Sequence, residues 1–186
     1  ILKTKGKFRR ALLDLLSVKS LNQISVCEIC QKAGVNRNTF YAHYTSAEEL
    51  MKETETAFTA NLIDSIRIKG EYITSIKTLM DVVLNFAKNN RDMCVLLFSG
   101  TSSDLMTDIL NEIYASATDT WCRAAGISVQ DAGFLFNFIS GGAVSVIRAW
   151  VGSGFAEDTG LVAERMTLMI EGAQERLASR CSMSHE

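Results

Sequence analysis

The sequence predicts an all-α protein of about nine helices, and three observations carry that expectation. None of the 186 residues is proline, although average usage of about 5% would place roughly nine, so the commonest helix breaker is missing throughout. Apolar residues recur at i, i+3, i+4 and i+7 along most of the chain instead of alternating with polar ones. Helix starts are also punctuated: Ser25 with Glu28 and Ser46 with Glu49 have capping-box spacing, and Asn36 is a good N-cap.

Taken in order, the first helix is expected over residues 4–18, where Phe8, Ala11, Leu12, Leu15 and Leu16 form one apolar face. A second starts after Ser25, buries Val26, Ile29 and Cys30, and ends at Ala33 because Gly34 follows. The third covers residues 37–44 and the fourth 47–68, the latter carrying Leu50, Phe58, Leu62, Ile63 and Ile66. Further helices are expected over 72–88, 90–98 and 103–124, the last closed by Gly126. Residues 129–152 are apolar nearly all round, so this helix is expected to be covered on several sides. A final helix spans 158–179. The short helices and the long ones divide the chain into a head, 1–46, and a larger C-terminal body, 47–186.

Composition narrows the class. With 47% hydrophobic and 22% charged residues, the chain is globular and not disordered. The net charge of −2 hides an asymmetry: residues 1–52 hold nine Lys and Arg against four acids, leaving ten bases against seventeen acids beyond. A basic head on an acidic body points to an anionic polymer at one end. The longest apolar run, 135–147, contains Asn137 and Ser140 and stops at Arg148, so it reads as too short to span a bilayer and no membrane partner is expected. Five cysteines are an odd number lying within helical patterns, which suits a reducing cytoplasm. The sequence opens at Ile1, so the natural start is expected a few residues upstream.

Two short helices joined by a glycine-containing turn in a basic unit form a helix-turn-helix, whose second helix enters the major groove of double-stranded DNA. Arg37, Asn38 and Thr39 fall in the first turn of that second helix. Arginine pairs bidentately with guanine, asparagine with adenine, and threonine offers a hydroxyl or a methyl. The plainer alternative is an ordinary polar helix start.

Residues 24–50, ISVCEICQKAGVNRNTFYAHYTSAEEL, carry a resemblance that spacing does not supply. They are similar to the DNA-binding signature of the tetracycline-repressor (TetR) family, through Ala33, Gly34, Val35, Thr39, Phe40, Tyr41, Tyr44, Glu49 and Leu50. The resemblance implies an all-helical homodimer with an N-terminal DNA-binding domain and a C-terminal domain for dimerisation and ligand binding. It places Arg37, Asn38 and Thr39 at bases, Tyr41 and His43 at phosphates, and Phe40 and Tyr44 in the core of the head. Lys7, in the basic first helix, is expected to add a phosphate contact. Ala47 stands where the family often has lysine, so one phosphate contact is lost. Residues 138–155, FISGGAVSVIRAWVGSGF, resemble the penultimate helix of one subgroup of the family, some of whose members answer to protein partners.

Other features read as structural. Cys27 and Cys30 form a C-x-x-C, but no second pair lies nearby and Cys30 sits at an apolar position, so the spacing alone favours a core cysteine over a metal or redox site. His43 and His185 are too few for a typical catalytic zinc site, and no phosphate loop or nucleophile elbow occurs. Neither an enzyme nor a metal or other cofactor is therefore expected. Phe86, Met93, Phe98, Trp121, Phe134 and Phe138 are candidates for an apolar cavity holding a small apolar or amphipathic effector, the alternative being ordinary core. Gly141 and Gly142 put two glycines inside a helix, which calls for a close approach or a kink. With Val146, Trp150, Met166 and Ile170 they are the candidate dimer interface, pairing two helices with their copies. The expected function is a ligand-responsive repressor binding a pseudo-palindromic operator as a homodimer. The alternative is a co-regulator, non-DNA-binding or activating, controlled by a protein partner or metabolite.

Overall fold

The computed structural model describes residues 2–68, 71–98 and 103–183, and within them nine α-helices account for nearly all the regular structure. Helices α1 (Leu2–Leu16), α2 (Val26–Ala33) and α3 (Arg37–Tyr41) precede the longer α4 (Ala47–Ser65). Then come α5 (Ile76–Asn89), α6 (Arg91–Phe98), α7 (Ser103–Ala125), α8 (Val129–Gly152) and α9 (Thr159–Met183). The chain forms two compact units, residues 1–61 and 62–186, so α4 contributes to both. The head expected to end at residue 46 extends further because Leu50 and Met51 are buried and Glu53 bonds to Lys5 and Tyr44.

The caps act much as their chemistry requires. Ser25 Oγ accepts the Glu28 N–H at 3.2 Å while the Ser25 N–H donates to Glu28 Oε2 at 2.9 Å, a reciprocal capping box. Ser75 and Ser128 cap α5 and α8 by accepting the N–H of Thr78 and of Asp131. At α4 the box is shifted: Ser46 Oγ accepts the Glu49 N–H at 3.3 Å, but the Glu49 carboxylate takes the N–H and hydroxyl of Thr45.

Three boundaries differ from expectation. A 3-10 turn, Leu21–Gln23, follows α1. Helix α3 stops at Tyr41 because the chain tightens, His43 and Tyr44 both donating to the Phe40 carbonyl at 2.9 Å. Helix α4 ends at Ser65, and Arg67–Ile68 (β1) pairs antiparallel with Glu71–Tyr72 (β2). Ile73 then donates to the Ile66 carbonyl at 2.9 Å, so this miniature ribbon interrupts a run that helical periodicity carried through.

The first unit is organised on Phe8, Leu12, Ile29, Phe40 and Leu50, each at most 1% exposed. Fully burying such a side chain contributes about 1.5–3 kcal/mol. Phe8 meets Phe40 edge-on at 5.1 Å between ring centroids, and Tyr44 lies 5.5 Å from Phe40. In the second unit Ile63 and Ile66 pack with Leu79, Val83, Ile113 and Trp121. There α5 lies along α9, and α8 packs on α6, α7 and α9.

Helix α8 is not covered on all sides. Ala132, Leu135, Trp150 and Val151 are buried, whereas Phe134 is 76% and Phe138 74% exposed. With 24 residues and a mean hydropathy of 1.5 over its most apolar window, α8 is long and apolar enough to cross a membrane, which the run 135–147 had not promised. One face packs against α6, α7 and α9, while most of that apolar window is exposed.

Candidate nucleic-acid interface

Gly34 makes the turn between α2 and α3. Its φ of 63° lies in the left-handed region that glycine adopts without steric cost. Its N–H donates to Gln31 O at 3.2 Å and also reaches Cys30 O, and Val35 donates to Cys30 O at 3.0 Å. Asn36 then caps α3, its side chain accepting the Asn38 N–H at 2.8 Å.

This turn sorts the side chains of α3. Phe40 points into the core with no exposed surface, while Arg37 and Asn38 are exposed and Thr39 is half-buried. Tyr41 is exposed despite its ring lying 5.8 Å from that of Phe40, and His43 is half-buried beside Tyr44. Three residues competent to read base edges thus share the first turn of one helix, with two aromatic residues just beyond. On α1, Lys7 and Arg10 are exposed and Lys5 is engaged with Glu53, while Lys19, beyond the end of that helix, is engaged with Glu28.

The head holds a network that local patterns do not reveal. Lys5 Nζ lies 2.6 Å from Glu53 Oε2 and 5.2 Å from the Tyr44 ring centroid, and the Tyr44 hydroxyl donates to Glu53 Oε1 at 2.9 Å. The hydrogen bond from Lys5 holds the Glu53 carboxyl below the usual range, with burial opposing and Tyr44 assisting. Burial, then the bond to Glu53, pushes the Tyr44 hydroxyl up. Glu28 is held down at about 2 by Lys19 and by the amide and hydroxyl of Ser25.

The structure redistributes the other candidate residues. Met93 is core, and Phe86, Phe98 and Trp121 are half-buried. Phe134 and Phe138 face outward and line no interior cavity; the aromatic cluster instead uses Phe136, 4.9 Å from Tyr114 and 6.0 Å from Trp121. Two residues along a helix turn the side chain by about 200°, which puts Phe136 opposite its neighbours. Trp150, Met166 and Ile170 are buried within their own chain, so they are core and not an open interface. Gly141 and Gly142 are exposed with nothing within 4 Å of an added Cβ, and Val146 is 36% exposed.

A helix-turn-helix head with a polar, outward-facing first turn, followed by a separate helical unit, defines a regulator of the helix-turn-helix class. Residues 9–54 match the family described as "Bacterial regulatory proteins, tetR family", and residues 74–172 match a "Transcriptional regulator C-terminal region". The chain belongs to the TetR family of transcriptional regulators, which are not enzymes. It is 27% identical over 118 residues to the uncharacterized HTH-type transcriptional regulator YvdT of Bacillus subtilis, spanning 60% of this chain and 61% of YvdT. Its fold is similar to that of the dihydroxyacetone kinase operon activator DhaS, with a TM-score of 0.69 at 17% identity over 94% of this chain and 97% of that one. The fatty acid degradation regulator FadR of Bacillus halodurans gives 0.65 at 15% identity over 89% and 93%.

Proposed function

We propose that the protein is a cytoplasmic repressor that binds a pseudo-palindromic DNA operator as a homodimer and releases it when a small apolar or amphipathic effector binds. The observation that carries this reading is the cluster of exposed Arg37 and Asn38 with half-buried Thr39 at the start of α3. One five-residue helix reads few base pairs, and a two-fold axis doubles the footprint. The partner surface is the uncovered stripe Phe134, Phe138, Gly142 and Val146 of α8, which advances by i+4 steps, together with exposed Leu161, Leu168 and Met169 of α9. Phe86, Phe98 and Trp121 are the effector candidates that remain. Because α4 supplies residues to both units, repacking along it is the route by which an effector acts. A tenfold loss of DNA affinity needs about 1.4 kcal/mol of differential binding.

The test is a mobility-shift titration of purified protein at about 100–200 mM salt, against fragments of its own promoter region and random duplex. Equal binding to both would end the operator reading. The likeness to an operon activator supports a second reading, activation by the same DNA-bound dimer. A promoter reporter with and without the gene separates the two by the sign of the change.

A further inference from the structure

We infer that Cys27 and Cys30 form an oxidisable dithiol whose closure to a disulfide dismantles the helix-turn-helix. Its effect on DNA rests on the operator reading above; the bond itself does not. Cys27 is exposed in the first turn of α2, and Cys30 is 4% exposed one turn later. Side chains three residues apart on a helix are neighbours, with Cβ atoms about 5–6 Å apart. A disulfide requires about 3.5–4.5 Å, so the sulfurs can meet only if the first turns of α2 deform.

The deformation falls at a costly place. The Cys30 carbonyl accepts the Val35 N–H at 3.0 Å and a bond from Gly34, the contacts that close the turn. Glu28, whose carboxylate completes the cap with Ser25, lies between the two cysteines. Arg37 stands close enough to oppose, by its charge, the burial that pushes the Cys30 thiol up. Shifting Cys30 therefore disturbs both ends of α2 and the start of the helix that carries the base-reading residues.

The oxidant is a hydroperoxide. Cys27, as thiolate, attacks the terminal peroxide oxygen; the O–O bond breaks, an alcohol leaves after protonation, and Cys27 becomes a sulfenic acid. The Cys30 thiol loses its proton, its sulfur displaces hydroxide from Cys27 sulfur, and that hydroxide leaves as water. Two thiols and one hydroperoxide thus give one disulfide, one alcohol and one water, or two waters where the oxidant is hydrogen peroxide. Cys94 and Cys122 are buried in the second unit and are not placed for this chemistry.

The experiment treats the purified full chain with hydrogen peroxide, alkylates free thiols, maps peptides by mass, and measures affinity for a promoter fragment alongside Cys27→Ser, a change at an exposed side chain. Expected are a Cys27–Cys30 linked peptide, a fall in affinity of about tenfold or more reversed by dithiothreitol, and a change below about twofold in Cys27→Ser. Absence of the linked peptide overturns the inference. So does a linked protein that still binds at full affinity, or an equal loss in Cys27→Ser. Untreated protein that ignores its promoter would sink the operator reading alone, and the peptide map would still decide whether the bond forms.

Discussion

The Tyr44 hydroxyl donates to Glu53 Oε1 at 2.9 Å, tying the aromatic residue that closes the head's core to the second turn of α4. Lys5 of α1 occupies the other carboxylate oxygen, so one side chain fastens two helices and the turn between α3 and α4. Replacing Tyr44 by phenylalanine keeps the ring and removes the bond. We expect a loss of about 0.5–1.5 kcal/mol in urea unfolding, and an unchanged midpoint would mean the bond contributes nothing.

The same carboxylate gives a pH dependence. Lys5 chiefly holds the Glu53 carboxyl below its ordinary value in the folded state. A depressed folded value means stability that is present above the unfolded value of about 4.3 and is lost as pH falls through the folded one. Thermal melts from pH 6 down to pH 3 should therefore fall less steeply for Glu53→Gln than for the parent. Parallel curves would show that Glu53 does not contribute to acid sensitivity.

Base-reading and phosphate contacts separate by salt and sequence. Arg37→Ala should cost about 1–3 kcal/mol on the operator and little on random duplex, if Arg37 pairs with a guanine. Lys7→Ala should weaken every sequence and flatten the salt slope by about one. Equal losses on both duplexes for Arg37→Ala would reassign it to the backbone.

Gly142 has open space where a side chain would stand, so leucine there fits within one chain. If the stripe from Phe134 to Val146 meets its copy, Gly142→Leu should yield a folded monomer by sedimentation and abolish operator binding. A dimer that survives would place the interface elsewhere.

Gly133 is different, since a Cβ there would come within 2.8 Å of the Tyr114 Oη. Alanine normally stabilises a helix interior by about 0.5–1 kcal/mol over glycine. Gly133→Ala should forfeit that gain, and adding Tyr114→Phe, which deletes the obstructing oxygen, should restore it. Calorimetry showing Gly133→Ala alone to be stabilising would mean Tyr114 moves aside at no cost.

What could be read in advance was local. The caps at Ser25 and Asn36 and the glycine at 34 act within four residues, and helix periodicity placed the long helices to within a few residues. The exposure of Arg37 and Asn38 followed from their place in the first turn of α3. The Lys5–Glu53 bond joins residues 48 apart, and no window of sequence contains it. Likewise, that Phe134 and Phe138 face outward while Phe136 packs inside depends on which side of α8 its neighbours occupy. The ribbon after α4 escaped because Leu62, Ile63 and Ile66 keep a helical rhythm up to the residue before it.

Helix α3 has five residues, and Phe40 is the one that is fully buried. On the operator reading proposed above, foldability and recognition fall to separate positions of the same short segment. On that reading, exposed Arg37 and Asn38 can be exchanged over generations without disturbing the ring contacts of Phe40, so a duplicated gene can acquire a new target site by surface changes alone. Phe40 has no such latitude: its replacement would remove the platform on which every variant of that surface must stand.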